Sequence, residues 1–269
     1  MSRDWLGFCR ACGDDVGRVL AGLPARADRE GVLGTGSGGD ETTVVDDAAE
    51  QAVVARLEDL HREEVGFTLV SEELGERVFG EGELRIVVDP IDGSVNAKRV
   101  LPFFSISIAV ANGPRMDDVK FGYVRDFGSG EEWWATRGGG AWLDGRRLGD
   151  ERPKGELEVL MLEGTYTSNI AELAPAFVRL AYRLRVMGSL ALALCQLAAG
   201  RADAVASLRP IRALDIAASQ LLLAEVGLAI ELPDAPPIGE SPLDTVARSR
   251  VVAGASAAVC ARLAGALGV

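Results

Sequence analysis

The segment Asp89-Pro90-Ile91-Asp92-Gly93-Ser94 follows the apolar run Ile86-Val87-Val88, so two carboxylates three residues apart fall where a β-strand ends and a turn begins. Pro90 fixes φ at about −65° and Gly93 permits a tight turn. Asp89 and Asp92 can therefore converge while the amides of Gly93 and Ser94 point outward. Carboxylates in such a place bind hard cations such as Mg2+, and outward amides bind phosphate. Asp and Gly are also ordinary turn residues, but further acidic segments stand upstream, at Asp46 and Glu72-Glu73, and downstream, at Asp215.

Other chemistries are poorly supplied. The single histidine, His61, sits in a Glu- and Arg-rich stretch beside no candidate nucleophile, which leaves a Ser-His-Asp triad without support and rules out a three-histidine zinc centre. Cys9, Cys12, Cys195 and Cys260 lack the paired spacing of a zinc site, and Cys9 and Cys12, one helical turn apart, read as packing residues. A net charge of −12 argues against a nucleic-acid partner, whose backbone needs clustered Lys and Arg. Hydrophobic residues at 48% and charged residues at 25% suit a soluble globular chain. No apolar stretch reaches the ~20 residues of a membrane span. Arg3, Asp4 and Arg10 among Trp5, Leu6 and Phe8 suit an amphipathic helix better than a secretory leader. A cytoplasmic enzyme is expected, with no membrane partner.

The acidic residues must be carried by recognisable elements. A helix is expected over residues 3–23, stopped near Pro24, then a glycine-rich mobile loop over 31–40. A second amphipathic helix over 47–61, opened by Asp46, repeats Ala49, Val53, Val54, Leu57 and Leu60 at helical spacing. Strands over 67–70 and 84–88 end at Glu72 and Asp89, joined by a charged connection. Strands over 104–111 and 119–123 and a hairpin of 132–135 with 141–143 extend what reads as an antiparallel sheet. After a Pro- and Gly-containing boundary at 147–156, strands (157–162, 183–187, 202–208) alternate with helices (169–180, 189–199, 215–226), the last stopped by Gly227. This alternation implies an α/β layer. The reading is of an N-terminal α+β subdomain, 1–150, carrying most of the acidic groups, and a C-terminal α/β subdomain, 151–269, supplying Asp215 and substrate contacts.

Gly39-Asp40 with Thr43 and Asp46, Ser71-Glu72-Glu73, the Asp89 to Ser94 run with Asn96, Gly188-Ser189, and Leu214-Asp215-Ile216-Ala217-Ala218 before Glu225-Val226-Gly227 together resemble the inositol monophosphatase superfamily. These are Mg2+-dependent phosphatases that include fructose-1,6-bisphosphatases. The resemblance covers most of the chain and implies an α/β fold, a layered α-β-α-β-α sandwich, acting as a homodimer on a small-molecule phosphate monoester. It implies two or three Mg2+ ions. The first would be held by Glu72, Asp89 and the Ile91 carbonyl, the second by Asp89, Asp92 and Asp215, and a weaker third again by Glu72. Asp46, Thr43, Ser94 and Glu72 would orient and activate the attacking water, although Asp46 and Asp215 also suit plain helix capping. Gly93, Ser94 and Ser189 would contact substrate.

Three features bear on the ester. Leu208 stands where inositol-selective members carry Glu, which weakens the inositol reading. Arg99 stands where the archaeal-type dual fructose-bisphosphatase and inositol phosphatase branch uses Arg toward a distal phosphate, a task suited to a planar guanidinium; Arg185, Arg209 and Arg212 are further candidates. The family's usual Lys is missing from the 31–40 loop, and Leu214 replaces the aromatic that often precedes the last metal-binding Asp. A sugar- or polyol-phosphate phosphatase acting on fructose 1,6-bisphosphate, inositol 1-phosphate or both is expected. The alternatives are a 3′,5′-bisphosphate nucleotidase on the same scaffold and, from another class, a catalytically silent regulatory protein that binds a phosphorylated ligand.

Overall fold

Period-two alternation along the strands decides how the layers stack. The computed structural model describes residues 3–37, 39, 41–153, 156–178 and 180–269, so Asp40 lies outside the described residues. Helices α1 (Trp5–Gly22) and α2 (Arg26–Arg29) open the chain, followed by the hairpin β1 (Val32–Thr35) and β2 (Glu41–Thr43) and by α3 (Val44–Arg62). Strands β3 (Phe67–Ser71), β4 (Gly75–Phe79) and β5 (Arg85–Asp92), helix α4 (Ser94–Arg99), and strands β6 (Ser105–Ala111), β7 (Val119–Asp126), β8 (Glu132–Thr136), β9 (Gly140–Leu143) and β10 (Arg146–Arg147) come next. The remainder runs β11 (Leu157–Glu163), α5 (Thr167–Phe177), β12 (Ala181–Arg185), α6 (Leu190–Ala198), β13 (Ala204–Ser207), β14 (Ile211–Arg212), α7 (Ala217–Glu225), β15 (Ala229–Glu231), β16 (Arg248–Ser249), β17 (Val252–Gly254) and α8 (Ala257–Leu267).

An eight-stranded sheet is ordered β10-β9-β8-β7-β6-β5-β3-β4 and a five-stranded one β12-β11-β13-β17-β15. On β5, Ile86 and Val88 join the core beneath α1 and α3, while Val87 joins the core around α6 and α7. On β6, Ile106, Ile108 and Val110 take the first side and Ala109 and Ala111 the second. Both faces of the sheet are covered, which is why its central strands read as continuous apolar runs. The smaller sheet repeats the scheme: Met161, Val205 and Ala253 face the α6/α7 layer, and Leu160, Leu162, Ala206 and Val252 pack with Phe177 of α5 and Cys260 and Leu263 of α8. The result is a mixed α/β molecule layered helix, sheet, helix, sheet, helix. Helix α6, Leu-Ala-Leu-Ala-Leu-Cys-Gln-Leu-Ala, is apolar on every side but that of Gln196 because it is sandwiched between two sheets.

Several expectations need correction. Residues 32–35 and 41–43 form an antiparallel hairpin rather than a mobile loop, pinned by the Ser37 amide donating to the Glu73 carbonyl at 2.9 Å. The charged connection after Glu72 contains β4, an edge strand whose Glu76, Arg77 and Val78 are exposed; a charged edge hides the strand pattern. The 169–180 helix stops at Phe177, and the following strand begins two residues early, at Ala181. Asp215 sits in a 3₁₀ turn, Ala213–Ile216, ahead of α7 rather than opening the helix itself. The structure adds β15, β17 and α8 beyond Gly227, where short elements have little periodic signal of their own.

Helix α7 lies directly on β7. A Cβ at Gly122 would stand 2.5 Å from the Ala218 carbonyl oxygen, so the glycine is required by close backbone approach. Gly122→Ala is expected to cost about 1–3 kcal/mol through overpacking, read as a lower urea midpoint; an unchanged midpoint would mean that α7 is not seated there.

Candidate active site

Strands β3 and β5 form the one parallel pair among the described strands of the large sheet, with Ser71 registered beside Val88. Parallel neighbours end at the same edge, so Glu72 and Asp89 leave the sheet side by side. Asp89 is buried and its Oδ1 accepts from the Ile91 amide at 3.0 Å. Asp92, at the end of the same strand, accepts from the Ala191 amide at 2.8 Å and from the Ser189 hydroxyl, so it caps α6 from across the molecule. Ser189, which N-caps α6 by accepting from the Leu192 amide at 3.3 Å, is thereby engaged with Asp92.

Thr43 N-caps α3. Asp46, in the first turn, reaches back through Oδ2 to the Thr43 amide at 3.1 Å and hydroxyl at 2.6 Å. Its Oδ1 is buried with no hydrogen-bond partner among the described residues. Asp215 makes the same backward reach, its Oδ2 accepting from the Arg212 amide at 3.0 Å. Capping and chemistry are thus compatible: each of these aspartates uses one oxygen to hold its turn. The guanidinium of Arg212 is ion-paired closely with Glu72 and lies 3.6 Å from Asp215 Oδ1. Ser94 Oγ donates to the Ile91 carbonyl at 3.1 Å.

An open cleft of about 760 Å³ is lined by Thr43, Asp46, Glu72, Asp92, Gly93, Ser94 and Asp215, together with Lys98, Glu163 and Tyr166. Arg99, Arg185 and Arg209 are exposed and are not among its lining residues. Arg185 donates to the neighbouring Leu184 carbonyl, whereas Arg209 stacks over the ring of Tyr166 with 4.2 Å to the centroid. Gly93 (φ 97°) packs so tightly that a Cβ would lie 2.9 Å from the Gly188 carbonyl oxygen. Asn96 fastens the same two loops, donating to Phe103 O at 2.7 Å and Met187 O at 2.6 Å.

Two buried acids escape a reading of the sequence by motif. Glu163 ends β11 and accepts from the amides of Met187 (3.2 Å) and Gly188 (2.8 Å). Its signal is a charged residue at the end of the apolar strand Leu160-Met161-Leu162, the pattern that marks Glu72 and Asp89. Glu50, one turn beyond Asp46 on the buried face of α3, accepts from the Ser71 hydroxyl at 2.8 Å and so braces the residue before Glu72; its signal is a polar group on an apolar helix stripe.

Burial dominates the electrostatics. It pushes Glu72 up to about 8, with Asp215 and Glu73 adding to the rise and Arg212 opposing it. Asp89 is held well above the carboxylate range by burial and by Glu72, Asp92 and Asp215. Asp92 is pushed up to about 6 by burial against the bonds from Ser189 and the α6 amides. All are oxygen donors whose charge is unfavourable without a counter-cation, the composition that suits a hard divalent ion. Among the described residues no three His, Cys, Asp or Glu side chains already stand in a metal-holding group; Arg212 supplies positive charge there instead.

Glu163 is pushed up to about 8 by burial, against its two amide donors. Its folded pKa exceeds the unfolded value, so its contribution is complete below about 4.5 and is lost as pH rises through about 8. In chelator, Glu163→Gln is expected to remove on the order of 2–4 kcal/mol of the stability decline between those limits, seen as a flatter plot of Tm against pH. An unchanged slope would assign the decline to other groups.

A model of the inositol monophosphatase family matches residues 9–267. The fructose-1,6-bisphosphatase/inositol-1-monophosphatase of Methanothermobacter thermautotrophicus is 32% identical over 234 residues, 83% of this chain and 82% of that one. The Nus factor SuhB of Pasteurella multocida is 33% identical over 220 residues, 79% of each. A solved inositol monophosphatase-fructose 1,6-bisphosphatase superposes with a TM-score of 0.82 at 26% identity, covering 98% of this chain and 100% of that one.

Proposed function

The chain belongs to the inositol monophosphatase family and is a phosphatase, and from that premise we propose that it hydrolyses the phosphate monoester of a sugar or polyol with the help of Mg2+. The observation that carries the reading is that Glu72, Asp92 and Asp215 line one open cleft while the buried Asp89 feels the charge of all three. Those four carboxylates, with the Ile91 carbonyl, would hold the metal. When bound, Mg2+ supplies the positive charge that activates water and stabilises the transferred and leaving oxygens.

The chain's own residues do the rest. Asp46, locked by Thr43 through one oxygen, keeps the other to orient an attacking water and accept its proton. The first amides of α4, from Gly93 through Val95, have no intrahelical acceptor and would bind phosphate oxygens, and Ser94 holds that turn against Ile91. Tight seating of Gly93 against Gly188 fixes the distance between the turn and the loop before α6. Lys98 lines the cleft, and Arg209, flattened on Tyr166 at its rim, is the arginine best placed for a second phosphate. Fructose 1,6-bisphosphate and inositol 1-phosphate are the proposed substrates, ahead of a 3′,5′-bisphosphate nucleotide. The reading includes a cytoplasmic homodimer with no nucleic-acid partner, in keeping with the net charge of −12.

Likeness to a protein named as a Nus factor gives one rival reading some support, a regulatory protein that binds a phosphorylated ligand without turnover. A phosphate-release assay over the three esters separates the two. Asp89→Asn is expected to lower release ~10²-fold or more, while its melting temperature in chelator holds or rises because one repelling carboxylate is gone. Thr43→Val should lower kcat more than it raises KM. Ligand-dependent melting with no release from any ester would favour the regulatory reading.

A further inference from the structure

The most unusual group in the site is Arg212. It is 7% exposed, and its guanidinium lies against Glu72 and within 3.6 Å of Asp215, two of the four carboxylates assigned to the metal. Its main chain is tied twice, by the β14/β16 register with Arg248 and by its own amide donating to Asp215. The side chain can therefore leave the carboxylates only by swinging about a fixed backbone. Glu72 and Asp215 come from distant parts of the chain, and this guanidinium joins them.

We propose that Arg212 is a built-in counter-cation on the Glu72/Asp215 side of the cluster, and that a divalent metal binds there in competition with it. The proposal rests on the reading of Glu72 and Asp215 as metal ligands. A buried carboxylate cluster without compensating charge is costly, and a guanidinium fork meets that need with one positive charge. A divalent ion offers twice the charge in a compact sphere but must displace contacts already made. Two consequences follow. The metal-free protein is held together by its own arginine, and metal on this side binds more weakly than the four carboxylates alone would allow.

Calorimetric titration of Mg2+ and Mn2+ into chelator-stripped full-length protein tests this without turnover. Arg212→Gln is expected to tighten the weaker binding event about tenfold or more and to lower the melting temperature in chelator, with Arg212→Lys between the variant and wild type. Equal or weaker metal affinity in Arg212→Gln would overturn the proposal. Should that variant fail to fold, the wild-type Arg212 Nε–H resonance gives the answer: it should shift as Mg2+ is added, and a resonance unmoved at saturation would equally overturn the idea. Absence of any metal binding by the wild type would sink the functional reading itself, whereas binding with no response at Arg212 sinks only this inference.

Discussion

Carboxylates removed from water and set close together repel, and the organisation of this molecule follows from the need to hold them there. Each aspartate of the cleft is anchored through one oxygen to a backbone amide: Asp46 to Thr43, Asp89 to Ile91, Asp92 to Ala191 and Asp215 to Arg212. An amide donor favours the charged form and fixes the orientation of the group. It also spares the second oxygen for other work. Burial nevertheless outweighs these bonds at Asp89 and Asp92, which remain raised.

The layered architecture makes such convergence possible. Glu72 and Asp89 come from neighbouring strands of the large sheet, Asp46 from the first turn of a helix packed on it, and Asp215 from the turn before a helix lying between the two sheets. The two halves of the chain are then stitched across the cleft by Asp92 with Ser189, Asn96 with Met187, and Arg212 with Glu72. Every stitch is polar and close to the chemistry, while the apolar layers on either side supply the rigidity. The cleft is therefore part of what joins the halves.

Much of this was legible from local signals. A carboxylate at the end of an apolar strand, as at Asp89, or three residues after a capping Thr, as at Asp46, carries its structural reason within a few residues. The large elements were equally plain where one face or both are buried, as in α3 and β6. Less visible were features that depend on remote partners: the Arg212 guanidinium meets a carboxylate far away in the chain, Asp92 caps a helix almost a hundred residues later, and β4 pairs as an edge strand although its side chains look like a solvated loop. Local periodicity has no term for any of these. Glu163 and Glu50 could have been found by asking why an acid interrupts an apolar pattern.

The parallel seating of β3 beside β5 has an effect beyond the cleft. Between them the chain runs out along the rim as β4, returns across β3, and enters β5 from the same end at which β3 began. The excursion touches neither Glu72 nor Asp89 once those two strands are in register. The exposed residues of β4, Glu76, Arg77 and Val78, can thus change charge in descendants of this sequence while the spacing of the acidic pair stays constant, so long as Phe79 keeps its stack on Phe67 and Gly82 its close approach to Gly66.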